Sequence, residues 1–158
     1  MKHLPKHLRP RWRYLAVEIE TWPDVTLDRG TFQRHLWYTA QNLVGDAGSA
    51  EVDLSVLSFA FEDGHGEAIV RVRRGEVDRG RAIVASLAAV DEGDVGVRVR
   101  GVSGTVRACE ERYMGHRAER ANQRHVVFRD AERTAVTVGD RADVQTEDGY
   151  TGATTLDI

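Results

Sequence analysis

Cysteine is nearly absent from this 158-residue chain, which has one, Cys109. A single thiol excludes a disulfide framework and a cysteine-rich zinc site, and it fits a reducing compartment. Long apolar runs are missing too: none approaches the roughly 20 residues that span a bilayer. The opening MKHLPKHLRP lacks the apolar centre of a signal peptide. The expected location is cytoplasmic, with no membrane as partner. No internal repeat or low-complexity tract divides the chain. With 41% hydrophobic and 30% charged residues, the composition describes one globular domain with an appendage.

Acid is missing from the N-terminus. Residues 1–14 hold Lys2, Lys6, Arg9, Arg11 and Arg13 and no Asp or Glu, whereas residues 121–158 hold seven acids against four arginines. The net charge of −3 hides this sorting, and a basic end without acid points to a polyanion. Lysine is scarce as well: Lys2 and Lys6 are the two in the chain, which leaves twenty arginines among 22 basic residues. Arginine is the better residue for forked contacts to phosphate, although a GC-rich genome accounts for a large part of such a bias.

Leu4-Pro5 and Arg9-Pro10 break any helix early, so residues 1–11 read as an extended basic arm. From Arg13 the pattern alternates, with Leu15, Val17 and Ile19 on one face and Tyr14, Ala16, Glu18 and Glu20 on the other, as in a strand. Trp22-Pro23-Asp24 ends it, and Thr26 to Asp28 can cap a helix whose stripe is Phe32, Leu36, Ala40 and Leu43, closed by Gly45. A turn-rich link at 45–49 leads to a strand over 52–61 and a hairpin turn at 62–66. The strand over 67–73 follows, with Ala68, Val70 and Val72 inward and Ile69, Arg71 and Arg73 on an open face. A second helix is predicted over 76–90, with Val77, Gly80, Val84 and Leu87 on one side.

The stretch VGVRVRGVSGTVRACEERY, residues 95–113, then passes from strand to helix through Ser103-Gly104-Thr105. Val95, Val97 and Val99 alternate with Arg98 and Arg100, and beyond the turn Val106, Cys109 and Tyr113 are helically spaced. The order strand, helix, strand, strand, helix, strand is that of the ferredoxin-like α+β sandwich: a four-stranded antiparallel sheet with two helices on one face. A C-terminal helix and an extension follow. The expected division is 1–114 for this domain and 115–158 for an acidic extension. In the extension 126–128 and 135–138 can pair as a short hairpin, and 146–158 is expected to be mobile.

No local acid/base pair marks a catalytic centre. Ser103 reads as a helix cap, Cys109 as core, and His3, His7, His35, His65, His116 and His125 as solvated side chains without metal spacing. The expected catalytic and metal sets are both empty. The open face carries too few aromatics, Tyr14 chiefly, for the base stacking of an RNA-recognition module. What remains is a basic set suited to phosphate: Lys2, Lys6, Arg9, Arg11, Arg13, Arg98, Arg100 and Arg107, with Arg71, Arg73 and Arg74 nearby. Ser103, Gly104 and Thr105 form the structural junction beside it, and a glycine at 104 is expected to supply a positive φ.

LPKHLRPRWRYLAVEI at the start, together with the later GVSGTVRAC, resembles the archaeal ribonuclease P protein component 2 family, the Pop and Rpp14 group, over roughly residues 1–114. The arginine bias suggests a halophilic member. The resemblance implies a noncatalytic subunit of the ribonucleoprotein that removes the 5′ leader from precursor tRNA, with no cofactor of its own and magnesium expected for the catalytic RNA. The implied partners are the ribonuclease P RNA, precursor tRNA through the complex, the component 3 protein and other protein subunits, with self-association among the expected contacts. Two other readings start from the same residues. GVSGTVR is similar to the anion cradle of acylphosphatases, but that cradle follows the first strand rather than the last. A ferredoxin-like regulatory module for small molecules would not need the arm.

Overall fold

In the computed structural model, which describes residues 4–91, 93–115 and 122–158, the first alternating segment forms strand β1, Trp12–Thr21. Helix α1, Arg29–Val52, follows, then β2, Ser55–Glu62, and β3, His65–Arg73. Helix α2, Val77–Ser86, leads to the two-residue β4, Ala89–Val90, and to β5, Gly93–Ser103. Helix α3, Val106–Tyr113, closes this part of the chain. The sheet order is β2-β3-β1-β5-β4, with antiparallel pairing throughout. This is the ferredoxin-like sandwich, with β1 in the middle and α1 and α2 on one face.

Its core joins Leu15, Val17 and Ile19 of β1 to Ala68, Val70 and Val72 of β3, to Phe32, Leu36 and Ala40 of α1, and to Ile83 and Val84 of α2. Each strand thus buries alternate residues, which is why period-two reading located them. The β2–β3 turn has positive φ at both Asp63 (50°) and Gly64 (78°), the two-residue hairpin form that matches strand twist.

Several boundaries differ from the sequence expectation. Gly45 does not end α1. It sits at φ 72°, ψ 176° inside it, a kink that only glycine takes without cost, and a second stretch runs on to Val52. The stop is Asp53, in the left-handed region at φ 48°, with its N–H on Ser49 O at 3.0 Å. The kink re-aims the helix: Gly48 and Val52 are buried while Leu43, placed in the stripe by its spacing, is exposed. Val52 accordingly belongs to the helix and not to the next strand. The second helix stops at Ser86, because Val90 pairs with Gly93 in the β4–β5 hairpin. Within β5 a bulge at Arg100 shifts the register between Val17↔Val99 and Ala16↔Gly101, so the inward sequence Val95, Val97, Val99 resumes at Val102.

The second sheet face is not open along its length. Cys109 and Tyr113 of α3 pack on Ala16 and Ile69, forming a second small core with Tyr14 and Met114. The extension also has more strands than a short hairpin. Strands β6, Asn122–Phe128, β7, Ala131–Val138, β8, Arg141–Thr146, and β9, Gly149–Thr154, form a four-stranded meander. It has its own core of Val126, Phe128, Ala135 and Val144, closed by Ala153 and Ile158. Among the described residues, no helix is long and apolar enough to cross a membrane.

Candidate nucleic-acid interface

Charge is graded along β1, from a basic end at Trp12 to an acidic end at Glu18 and Glu20. At the basic end the arm makes a 3-10 turn over Lys6–Leu8, fully on the surface. Arg9 Nε donates to Leu4 O at 2.8 Å, and Arg13 Nη1 to Trp12 O at 3.0 Å. The arm joins the sheet where Arg74 N donates to Arg11 O at 2.9 Å. Here the Trp12 indole carries two guanidiniums, Arg71 at 3.9 Å and Arg73 at 4.5 Å from the ring centroid. Both cations gain from the ring's negative face. Arg73 is also neutralised, giving Nε and Nη2 to Asp53 Oδ2 at 3.2 and 3.0 Å. Lys6, Arg9, Arg11, Arg13, Arg71 and Arg74 face no carboxylate at ion-pair distance among the described residues.

The remaining predicted phosphate contacts among the described residues are each paired with a carboxylate. Arg98 and Arg100 both donate to Glu18 Oε2, the latter from Nε at 3.0 Å, and Arg100 lies 3.7 Å from Glu67. Arg107 pairs with Glu111 one helical turn on, Nε to Oε1 at 2.9 Å. Burial pushes the Glu18 carboxyl up, but the hydrogen bonds from Arg100 and Arg98 outweigh it and hold the group below the ordinary glutamate range. The structure therefore brings Arg11, Arg71 and Arg74 together where the arm, with Lys6 and Arg9, enters the sheet, sets Arg13 on the other face of β1 opposite Val72, and leaves Arg98 and Arg100 paired with Glu18 and Arg107 with Glu111. Lys2 lies outside the described residues, as do His3 and His116.

At the acidic end the meander meets the sheet. Arg141 gives both Nη atoms to Glu20, at 3.0 and 2.6 Å, and Tyr150 stacks on Trp22 with centroids 6.1 Å apart. Between them is a cavity of about 550 Å³ lined by Glu18, Glu20, His65, Arg100, Asp140 and Asp143 among others. Burial, with Glu20 beside it, raises the Asp143 carboxyl. Glu18, Glu20 and His65 bring one ligand atom each within 4.8 Å of one another, a grouping that sequence spacing did not disclose because it depends on the register Glu20↔His65. Both carboxylates are already engaged by Arg98, Arg100 and Arg141, so the cluster is an internally balanced ionic network.

The junction between β5 and α3 assigns its residues differently from the sequence reading. Thr105, not Ser103, caps the helix, accepting from Ala108 N at 3.1 Å. Ser103 is buried, and its Oγ has no partner. Gly104 is absent from the positive-φ positions, and a Cβ there would meet nothing within 4 Å. The glycine under steric demand is Gly101, where a Cβ would stand 2.1 Å from Tyr113 Cζ. Tyr113 of α3 lies flat on that bare backbone.

Residues 13–114 match the Rpp14/Pop5 family. Over 158 residues the chain is 61% identical to Ribonuclease P protein component 2 of Natronomonas pharaonis, covering 100% of this chain and 98% of that one. It is 62% identical to the protein of the same name from Halorubrum lacusprofundi over 157 residues, 99% of each. The counterpart from Methanosarcina barkeri is 30% identical over 118 residues, 75% of this chain and 83% of that one.

Proposed function

Because the chain belongs to the Rpp14/Pop5 family, we infer that it is a protein subunit of ribonuclease P, the ribonucleoprotein that removes the 5′ leader from precursor tRNA. Its part is to bind and support the RNA, which performs the cleavage with magnesium. The chain itself contributes no reacting group. Support comes from the two nucleophiles near the β5–α3 junction. The Cys109 thiol is fully buried, and that burial raises its pKa, which disfavours the reactive thiolate. Ser103 Oγ has no base beside it. The further partners in this reading are the component 3 protein, the other protein subunits and a second copy of the chain, assembled in the cytoplasm.

The observation that carries the RNA-binding role is the corner where the arm meets the sheet. Basic side chains without ion-pair partners project there from a segment that has no acid, next to an indole that already holds arginine. Phosphate contacts of this kind release counterions, so binding falls with salt in proportion to their number. Replacing Lys6, Arg9 and Arg11 together with alanine is expected to weaken binding to the ribonuclease P RNA. The slope of log affinity against log salt should flatten by about 0.7 to 0.9 for each phosphate no longer neutralised. An unchanged slope would remove the arm from the interface. The activity itself is tested by reconstituting precursor tRNA cleavage from the RNA with and without this chain and its partner subunits. Stimulation that requires this chain is the expected result, and cleavage indifferent to it would refute the reading.

A further inference from the structure

We infer that Arg71, held on Trp12 at the arm end of the sheet, is a phosphate-binding residue for RNA, with Arg74 and Arg11 flanking it. The inference rests on the ribonuclease P reading and adds to the arm two residues, Arg71 and Arg74, that neither the arm nor the strand-to-helix motif contains. Arg71 and Arg73 are two apart on β3 and share the Trp12 ring, yet their states differ. Arg73 is neutralised by Asp53, at 3.0 Å. Arg71 has no carboxylate at ion-pair distance among the described residues, and its Nε is buried without any hydrogen-bond partner.

Buried donors in native proteins are satisfied in the great majority of cases, so an orphan asks for an explanation. Four buried side-chain polar atoms lack partners among the described residues, and two of them, Arg71 Nε and Ser103 Oγ, share one row across the sheet. Tyr14 pairs with Arg71 on one side and Ser103 on the other. Stacking on an indole uses the face of a guanidinium and leaves its in-plane donors unspent. It also removes rotamer freedom before the ligand arrives, which lowers the entropy cost of making a forked contact. Arg74, just past the end of β3, is exposed, and its backbone N–H anchors Arg11 at 2.9 Å. A phosphodiester at this corner would therefore meet the two Nη groups of a guanidinium fixed by stacking, and two exposed cations, Arg11 and Arg74. An uncharged or cationic ligand would find nothing to pair with. Arg98 and Arg100 offer the contrast: each already pairs its charge with Glu18.

The test uses the full-length chain and the ribonuclease P RNA transcript as probe, with affinity measured across a salt series for wild type, Arg71→Gln, Arg71→Lys, Arg74→Gln and Arg98→Gln. Arg71→Gln is expected to bind about tenfold more weakly at moderate salt, with the salt slope reduced by about one. Arg71→Lys should keep the slope yet lose affinity, because a point charge cannot form the fork. Arg98→Gln should match wild type. Melting temperatures are read in parallel; if Arg71→Gln melts lower, the exposed Arg74→Gln carries the test, with the same loss of slope expected. Wild-type affinity and slope in both the Arg71 and Arg74 variants would overturn the inference and leave an acidic protein segment as the occupant of this corner, while the RNA-subunit reading stands. No binding by the wild type would instead refute that reading and the inference with it.

Discussion

Gly101→Ala is expected to destabilise the protein by roughly 2 to 4 kcal/mol, the upper range for overpacking a filled site, and to do so by lifting α3 off the sheet. The added methyl carbon would stand 2.1 Å from Tyr113 Cζ and 2.4 Å from Cε1, far inside contact distance, and the other side of the site is the β5 backbone paired to Ala16. The ring must move, and with it the small core of Cys109, Ala16 and Ile69. Thermal melts should show the loss. Tyr113→Ala, which removes the obstructing ring, should recover part of it when combined with Gly101→Ala, and that non-additivity marks direct contact. Gly104→Ala serves as the comparison: nothing lies within 4 Å of the added atom, so its melting temperature should stay close to wild type. Equal effects at the two glycines would contradict the packing described.

Glu18→Ala is the second large effect expected, at roughly 2 kcal/mol near neutral pH. Removing one partner of a fully buried ion pair costs about 3 to 5 kcal/mol; here Glu18 is 7% exposed, but Arg98 reaches solvent, which reduces the penalty. The half-buried Arg100 would keep Glu67 at 3.7 Å and the Tyr113 carbonyl at 3.4 Å. The pH dependence follows from the direction of the Glu18 shift. Its carboxyl titrates below the ordinary value of 4.5 in the folded chain, so between the two values the unfolded chain binds the extra proton. The stabilisation is complete above the unfolded value and is lost as pH falls through the folded one. Unfolding measured from pH 7 to pH 3 should show wild type and Glu18→Ala converging on the acid side. A gap that stays constant with pH would show that the carboxylate's charge plays no part.

The strands were legible because each is half buried. Leu15, Val17, Ile19 and Ala68, Val70, Val72 declare an inward face by alternation alone, and the element order then limits the topology. The helix end is not legible at Gly45, because a glycine after an apolar stripe serves equally as a stop or a kink, and the choice depends on whether the chain beyond can pack again, as Gly48 and Val52 do. The meander is only partly legible, because its strands draw on Thr, Ala and Gly, which give a weak alternation. The basic corner was legible in part. The arm's missing acids are a local fact, but Arg98 and Arg100 are neutralised by a glutamate about 80 residues away, and only register brings them together. The same holds for Trp12 under Arg71. At the junction, spacing pointed to the right segment and to the wrong glycine, since steric demand is set by the ring lying opposite.

The placement of β1 between β3 and β5 also sets the order of events when the chain folds. The central strand comes first in the sequence, but one neighbour lies about fifty residues on and the other about eighty, as the Glu18–Arg98 separation of 80 shows. Closing a loop eight times longer than a ten-residue one adds about 2 kcal/mol of chain entropy, a cost carried before the pairing returns anything, and such topologies fold slowly. The meander from β6 to β9 connects each strand to the next and bears no such cost. During synthesis the basic arm therefore emerges long before the sheet that anchors it through Arg74 can form, and β1 must wait, unpaired on its β5 side, until residue 103 has been made.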